Sequence, residues 1–344
     1  MNLDKINDSK IRASFQPIPD ALNATIGQPD FEVPRSIKDA IIQAIDQNKT
    51  GYTQTNGIAQ LQEKIIHQYT HAQSCIVTSG ASAALFLAFN LLEGEVIVIE
   101  PYFVSYPELL KYVNVTPVFV SSLTEISKNI TSKTSAIIIN SPNNPTGQVY
   151  SHKELLQVVE IARRHNIYII SDEVYRSFDY DSTFVSIGDL YEKSIVIDGW
   201  SKKFALTGLR IGYLAGRTKD MEALRALQQF TFVCAPHSTQ VAINSCFDTQ
   251  IDITELKKKR DFIAQELKDL YQFTYPRGAF YFYLFVGDEE QFYQKCIEHK
   301  LLVVKGSAFS QNTDHIRISF ALSWDKIRKM CHILKLIGGP ILDK

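Results

Sequence analysis

The sequence predicts an α/β layered protein, with a large, mostly parallel α/β/α domain and a smaller α+β domain. Three observations carry that prediction. Short continuous apolar runs recur between about residues 74 and 215: CIVT, EVIVIE, TPVFV, SAIIIN, IYIIS, SIVID and RIGYLA. Rich in Val and Ile and bounded by turn residues, they fit strands buried on both faces of a largely parallel sheet. Helical stretches alternate with several of them, which is the sequence pattern of an α/β layer. The chain has 344 residues, which at roughly 150 per domain gives about two domains.

Taken in order, the first helix is expected from Ser36 to Asp46. Ile37, Ala40, Ile41, Ala44 and Ile45 keep helical spacing there behind a start at Pro34 and Ser36. Ile58, Leu61, Ile65 and Tyr69 mark a second helix, and Leu155, Val158, Val159 and Ala162 mark another from Leu155 to His165. After about Val233 the texture changes. Leu256 to Leu270 reads as an amphipathic, charged helix, and AFYFYLF as an alternating or mixed strand. A helix around Gln291 to His299, strands at LLVV and IRISF, and a last helix opened by Ser323 complete the smaller domain. The expected division is 28–240 for the large domain, with 1–27 and 241–344 forming the small one.

Composition narrows the function classes. The chain is 45% hydrophobic and 21% charged, an ordinary globular mixture, and its 36 basic and 37 acidic residues leave a formal charge of −1. No basic surplus points to nucleic acid or to an anionic membrane. The opening MNLDKINDSK lacks the apolar stretch of a secretory signal, and no window approaches the roughly 20 apolar residues of a membrane span. Five scattered cysteines without a CxxC pair argue against a disulfide scaffold or a Cys-type zinc site. The expectation is a cytoplasmic enzyme with a large core.

In an open parallel sheet, ligands bind beyond the carboxyl ends of the strands. The residues that follow each apolar run therefore matter most. After CIVT comes Ser79-Gly80-Ala81-Ser82 entering a helix, a turn whose free N–H groups suit a phosphate. Pro101-Tyr102-Phe103, Asn143-Asn144-Pro145-Thr146-Gly147, Asp172-Glu173-Val174-Tyr175 and Gly199-Trp200-Ser201-Lys202 follow later runs, with Arg210 close behind. Each residue alone has a plain structural use: the small-residue turn as packing, Phe103 as core, Asn144 in a turn, Asp172 as a helix cap, Lys202 as a solvated cation. Together they meet the needs of pyridoxal phosphate. Its aldehyde needs a lysine amine, and its ring nitrogen a carboxylate. Its phosphate suits a helix N-terminus plus an arginine, and its ring an aromatic face.

The run from Gly199 to Gly212 (GWSKKFALTGLRIG) resembles the lysine signature of the class I/II aminotransferases, within the fold-type-I pyridoxal-phosphate enzymes. Asn143 to Gly147 and Asp172 to Tyr175 match two further signatures in the right order. IGQPDFEVP at Ile26 to Pro34 and VVKGSAFS at Val303 to Ser310 are most similar to the aspartate/aromatic branch. The resemblance implies a ping-pong aminotransferase that moves an amino group from an L-amino acid to a 2-oxo acid through a Schiff base on Lys202. It implies that Asp172 faces the ring nitrogen, that Tyr175 and Asn144 reach the ring's phenolic oxygen, and that Phe103 stacks on the ring. Ala81, Ser82 and Arg210 would hold the phosphate, Arg317 would grip the substrate carboxylate, and the Gly27 backbone would assist. Tyr52 matches a tyrosine that crosses to the partner subunit's phosphate, which implies a homodimer.

Three departures from the pattern stand out. Gly199 replaces a serine that commonly touches the phosphate, so Ser201 is expected as a substitute. Lys305 replaces a proline, and is the one candidate cation for a distal carboxylate, since the phosphate turn carries Ser82 rather than a lysine. The amino-terminal segment, which closes the pocket in the family, is short. A carbon–sulfur lyase or another elimination or decarboxylation enzyme of the same fold is the nearest alternative. A nucleotide-binding α/β protein is disfavoured by the lack of GxGxxG or GxxxxGK[ST] in the sequence.

Overall fold

The computed structural model describes residues 18–340; the expected contributions of residues 1–17 and 341–344 to the small domain lie outside them. The strands are β1 (Leu22–Asn23), β2 (Ser74–Thr78), β3 (Glu95–Ile99), β4 (Thr116–Val120), β5 (Thr134–Asn140), β6 (Tyr168–Asp172), β7 (Ser194–Gly199), β8 (Gly212–Gly216), β9 (Tyr281–Phe285), β10 (Leu301–Leu302), β11 (Val304–Lys305) and β12 (His315–Ser319). The helices are α1 (Arg35–Asp46), α2 (Ala59–Ile66), α3 (Ala81–Phe89), α4 (Ser105–Tyr112), α5 (Ile126–Asn129), α6 (His152–His165), α7 (Trp200–Lys203), α8 (Thr218–Thr231), α9 (His237–Ser245), α10 (Thr254–Leu267), α11 (Glu289–Glu298) and α12 (Trp324–Ile337).

All seven apolar runs form one sheet in the order β2-β8-β7-β6-β5-β3-β4. Neighbours from β7 to β4 pair in parallel, while β8 runs antiparallel to both β7 and β2. The reversal has a local cause. Between β7 and β8 lies only α7, a single turn about 6 Å long, too short to recross the sheet as a parallel connection requires. Alternate residues of the central strands feed opposite faces. Val96, Val98, Ile138 and Ile170 pack against α3, α4 and α8, and Ile97, Ile137, Ile139 and Ile169 pack against α6. β4 departs from the expected burial on both faces: it is an edge strand, half-exposed, and tolerates Pro117 for that reason.

A second sheet, β11-β12-β9, is antiparallel. Its core joins α10, α11 and α12 through Ile263, Leu267, Phe292, Ile327 and Leu334. Two strand expectations change here. LLVV divides: Leu301–Leu302 pairs in parallel with β1, and Val304 turns away to pair with Arg317. AFYFYLF does not alternate, because one side faces this helical core and the other closes on Arg317 and Phe309, so Ala279 to Leu284 are all buried.

Candidate active site

The register of the large sheet sets the site. Asn140, at the end of β5, lies opposite Asp172 at the end of β6, and donates through Nδ2 to the Asp172 carbonyl at 3.0 Å. The chain leaves β7 at Gly199 and places Lys202 one turn later. A cavity of about 250 Å³ opens over these carboxyl ends. Its walls include Gly27, Ala81, Ser82, Phe103, Asn144, Asp172, Tyr175, Ser201, Lys202, Arg210 and Arg317. Every expected site residue but Tyr52 and Lys305 lines this one cavity.

At one end sits Asp172. Tyr106 donates to its Oδ2 at 2.6 Å and the Val174 N–H to its Oδ1 at 3.3 Å. Burial nevertheless pushes the carboxyl up to about 6, and the Asp198 charge adds to the rise. In the middle, Lys202 Nζ donates to the Gly27 carbonyl at 2.5 Å. Burial lowers the amine to about 8, helped by the Arg317 and Arg210 charges and opposed by Asp172. At the far end α3 begins without a capping side chain, leaving its first N–H groups aimed at the cavity. Arg210 reaches the same point, held through Nη1 by the Thr207 carbonyl at 2.9 Å. Gly80 has φ +80°, a backbone conformation that favours glycine, and a methyl group there would lie 2.6 Å from Arg210 Nη2 and push the guanidinium aside.

Arg317 lies on the other wall, 1% exposed. Its Nη1 donates to Asn144 Oδ1 at 3.0 Å and its Nη2 to the Thr25 carbonyl at 2.6 Å, while the buried Nε has no partner. An arginine so placed is no surface strand residue; it is a cation with donor capacity left over for a ligand. The donor set fits pyridoxal phosphate in each of its parts: a carboxyl at one end, an amine midway, an anion cradle at the other end, and Phe103 on the wall.

The profile of the family described as aminotransferase class I and II matches residues 19–334. The chain belongs to that family. It is 36% identical to the probable aspartate aminotransferase of Methanocaldococcus jannaschii, over 96% of this chain and 97% of the relative. It is 35% identical to the aspartate aminotransferase of Thermotoga maritima, over 93% and 92%. The solved Thermus thermophilus aspartate aminotransferase with maleate superimposes with a TM-score of 0.89 at 28% identity, covering 97% of this chain and 98% of that one. The protein is a pyridoxal-phosphate-dependent aminotransferase of fold type I.

Several expectations change within this aminotransferase. Tyr52 is 87% exposed and does not line the cavity of its own chain. Lys305 turns away: its Nζ pairs with Glu290 and lies over the Tyr293 ring, so it supplies no cation to the cavity. Gly199 is required by packing, since a side chain there would lie 2.7 Å from Gly212 Cα on the adjoining strand. Ser201 lines the cavity, yet its hydroxyl donates to the Ile211 carbonyl at 3.2 Å, which leaves only its acceptor capacity. Two residues escaped the sequence reading. Tyr106 stands one helical turn beyond Phe103, a spacing that could have signalled it. Tyr281 lay inside an apolar run and carried no local signal.

Proposed function

We propose that this aminotransferase carries an amino group from an L-amino acid to a 2-oxo acid in two alternating half-reactions centred on Lys202. The observation that carries the proposal is the convergence of the Lys202 amine, the Asp172 carboxyl, the Arg210 cradle and Arg317 on one cavity. When bound, pyridoxal phosphate supplies an aldehyde for amine exchange and a protonated ring that draws electrons from the substrate Cα.

The residues would divide the work as follows. Arg317 holds the substrate α-carboxylate, supported by its partnerless Nε, and Asn144, already bonded to Arg317, positions both partners. Lys202 Nζ, with its proton affinity lowered by burial, takes the proton from Cα as general base and hands it on. Asp172, fixed by Tyr106 and Val174, keeps the ring nitrogen protonated. Tyr175, a phenol that burial holds neutral, donates to the ring's phenolic oxygen. Ala81, Ser82 and Arg210 hold the phosphate. Phe103 and the buried walls exclude water.

The working unit is a homodimer, with Tyr52 entering the partner's site. Support comes from an exposed aromatic face: segment 51–56 lies against α8 and α9, and Phe230, 86% exposed, stands nearby with Phe232 and Val233. The two lobes divide near residues 28 and 240. The five free cysteines fit a reducing cytoplasm.

All three cations of the cavity (Lys202, Arg210 and Arg317) are committed, and among the described residues no further cation of this chain lines it. The aspartate aminotransferase relatives make L-aspartate the first donor to try, and the lack of an uncommitted cation in the cavity lining makes aromatic donors the second. The test is a panel of L-amino acids with 2-oxoglutarate and cofactor, followed by borohydride trapping and peptide mapping. Glutamate formation and a label on Lys202 are expected. Pyruvate and ammonia released from cysteine-like donors without any oxo acid, or a label elsewhere, would overturn the proposal.

A further inference from the structure

Asp172 must carry its charge in a place that resists it. It is 3% exposed at the end of β6. Its partner across the sheet is Ile197 on β7, and the next residue there, Asp198, is a second buried carboxylate whose charge opposes that of Asp172. The Arg176 guanidinium is spent on Asp198, its Nε 2.8 Å from Oδ2. Asn140 on β5 gives its amide to the Asp172 backbone carbonyl. The Lys202 amine on α7 favours the charge, but less than Asp198 opposes it. The Tyr106 and Tyr175 phenols on the remaining sides are held neutral by burial.

Hydrogen bonds therefore decide the balance, and among the described residues two donors reach the carboxyl oxygens. The Val174 N–H is long, at 3.3 Å from Oδ1. The Tyr106 hydroxyl lies 2.6 Å from Oδ2, within the range of about 2.5–2.7 Å for a charge-assisted O–H···O bond. An ionised carboxylate only accepts, so the phenol is the donor. Among the described residues that hydroxyl has no second polar partner. Its ring is fixed edge-on by Phe89, with centroids 6.2 Å apart, and by Phe103 at 5.6 Å.

We propose that Tyr106 is a positioning residue: its phenol keeps the Asp172 carboxylate ionised and in place, so that the protein captures its cofactor at neutral pH and somewhat below. The inference rests on the proposed role of Asp172 toward the ring nitrogen. A carboxyl that has taken up a proton offers no counter-charge to a protonated ring, so affinity for pyridoxal phosphate falls as Asp172 protonates. With the phenol gone, burial and Asp198 face only the Val174 N–H. The carboxyl, near 6 in the parent, should then rise by about one unit, tenfold in the proton equilibrium, as fits the loss of one hydrogen bond to a charged group.

The experiment is an absorbance titration of pyridoxal phosphate into the cofactor-free parent, Tyr106→Phe, Asp172→Asn and the double variant, repeated across pH. The phosphate and the Lys202 amine titrate in every variant, so ratios of Kd isolate Tyr106. Y106F keeps the ring against Phe89 and Phe103. Its Kd relative to the parent should rise from about onefold at pH 8 to about fivefold at pH 6, and the rise should vanish when Asp172 is already asparagine. A packing role would weaken binding alike at every pH. Denaturant unfolding of the cofactor-free proteins gives a second readout: the deficit of Y106F should be level at low pH and grow as pH rises past about 6. A pH-independent ratio in Y106F, with D172N still weakening cofactor binding, would overturn this inference alone. Unchanged cofactor binding in D172N would instead remove the role given to Asp172, and this inference with it.

Discussion

Asp172 is a carboxylate with two donors and no cation bonded to it, buried at the end of a strand. Its cost to the cofactor-free fold follows from linkage. The folded carboxyl titrates near 6 and the unfolded one near 3.8, so this residue favours folding fully below about 3.8 and loses that contribution as pH climbs to about 6. Replacing it with asparagine removes the burdened charge. Cofactor-free Asp172→Asn should therefore be more stable than the parent at pH 7, by a few kcal/mol at most, and the gap should close toward pH 4. Denaturant unfolding at both pH values reads this directly. In the loaded enzyme the same change should cut turnover by orders of magnitude, because an amide cannot hold the ring nitrogen protonated. A stabilising change that disables the enzyme separates the role of this residue in folding from its role in the chemistry. The sequence made Asp172 and Lys202 legible because polar residues following apolar runs have few structural uses in combination, whereas Arg317, inside the run IRISF, was legible only through the family resemblance. Tyr281 was not legible, because a tyrosine within AFYFYLF is indistinguishable from core until the packing of Arg317 is seen.

Among the elements, the turn into α3 and the start of α6 give contrasting tests. At Gly80 the chain takes φ +80° and sets Arg210 where a methyl would intrude. Gly80→Ala should weaken cofactor binding by about tenfold or more through the combined backbone strain and displaced guanidinium, read by absorbance titration of the cofactor-free protein. The α6 start is remote from the site. Ser151 and Glu154 form a reciprocal capping box there, with Ser151 N–H donating to Glu154 Oε2 at 2.7 Å. Ser151→Ala should cost about 1 kcal/mol in thermal or denaturant unfolding and leave turnover unchanged. The periodicities placed α1 and α6 to within a few residues, since an apolar stripe at helical spacing has a single solution. They could not show that β8 runs against its neighbours, because a fully buried run reads alike in either direction. That fact depends on the length of α7.

At the scale of the whole molecule, Tyr52 is 87% exposed, which leaves its ring free for the proposed role in a partner's site. If each site borrows Tyr52 from its partner, two defective chains should repair each other. In a hybrid of Lys202→Ala with Tyr52→Ala, one site carries both defects and the other carries neither. Random re-association yields half hybrids, so about a quarter of all sites regain normal cofactor affinity and turnover. Mixing after mild dissociation, followed by an activity assay at limiting cofactor, measures this; a mixture no better than its parts would mean that Tyr52 serves only its own chain.

The antiparallel return of β8 has a consequence for anyone reshaping this catalyst. Gly212 sits against Gly199 on one side, and on the other a methyl group placed on it would come within 2.7 Å of the Ala81 nitrogen. The strap bearing the amine and the cup bearing the anion are thus riveted together through bare backbone, so neither can be adjusted without disturbing the other. Efforts to broaden the enzyme's diet should leave that rivet untouched and recut the opposite wall.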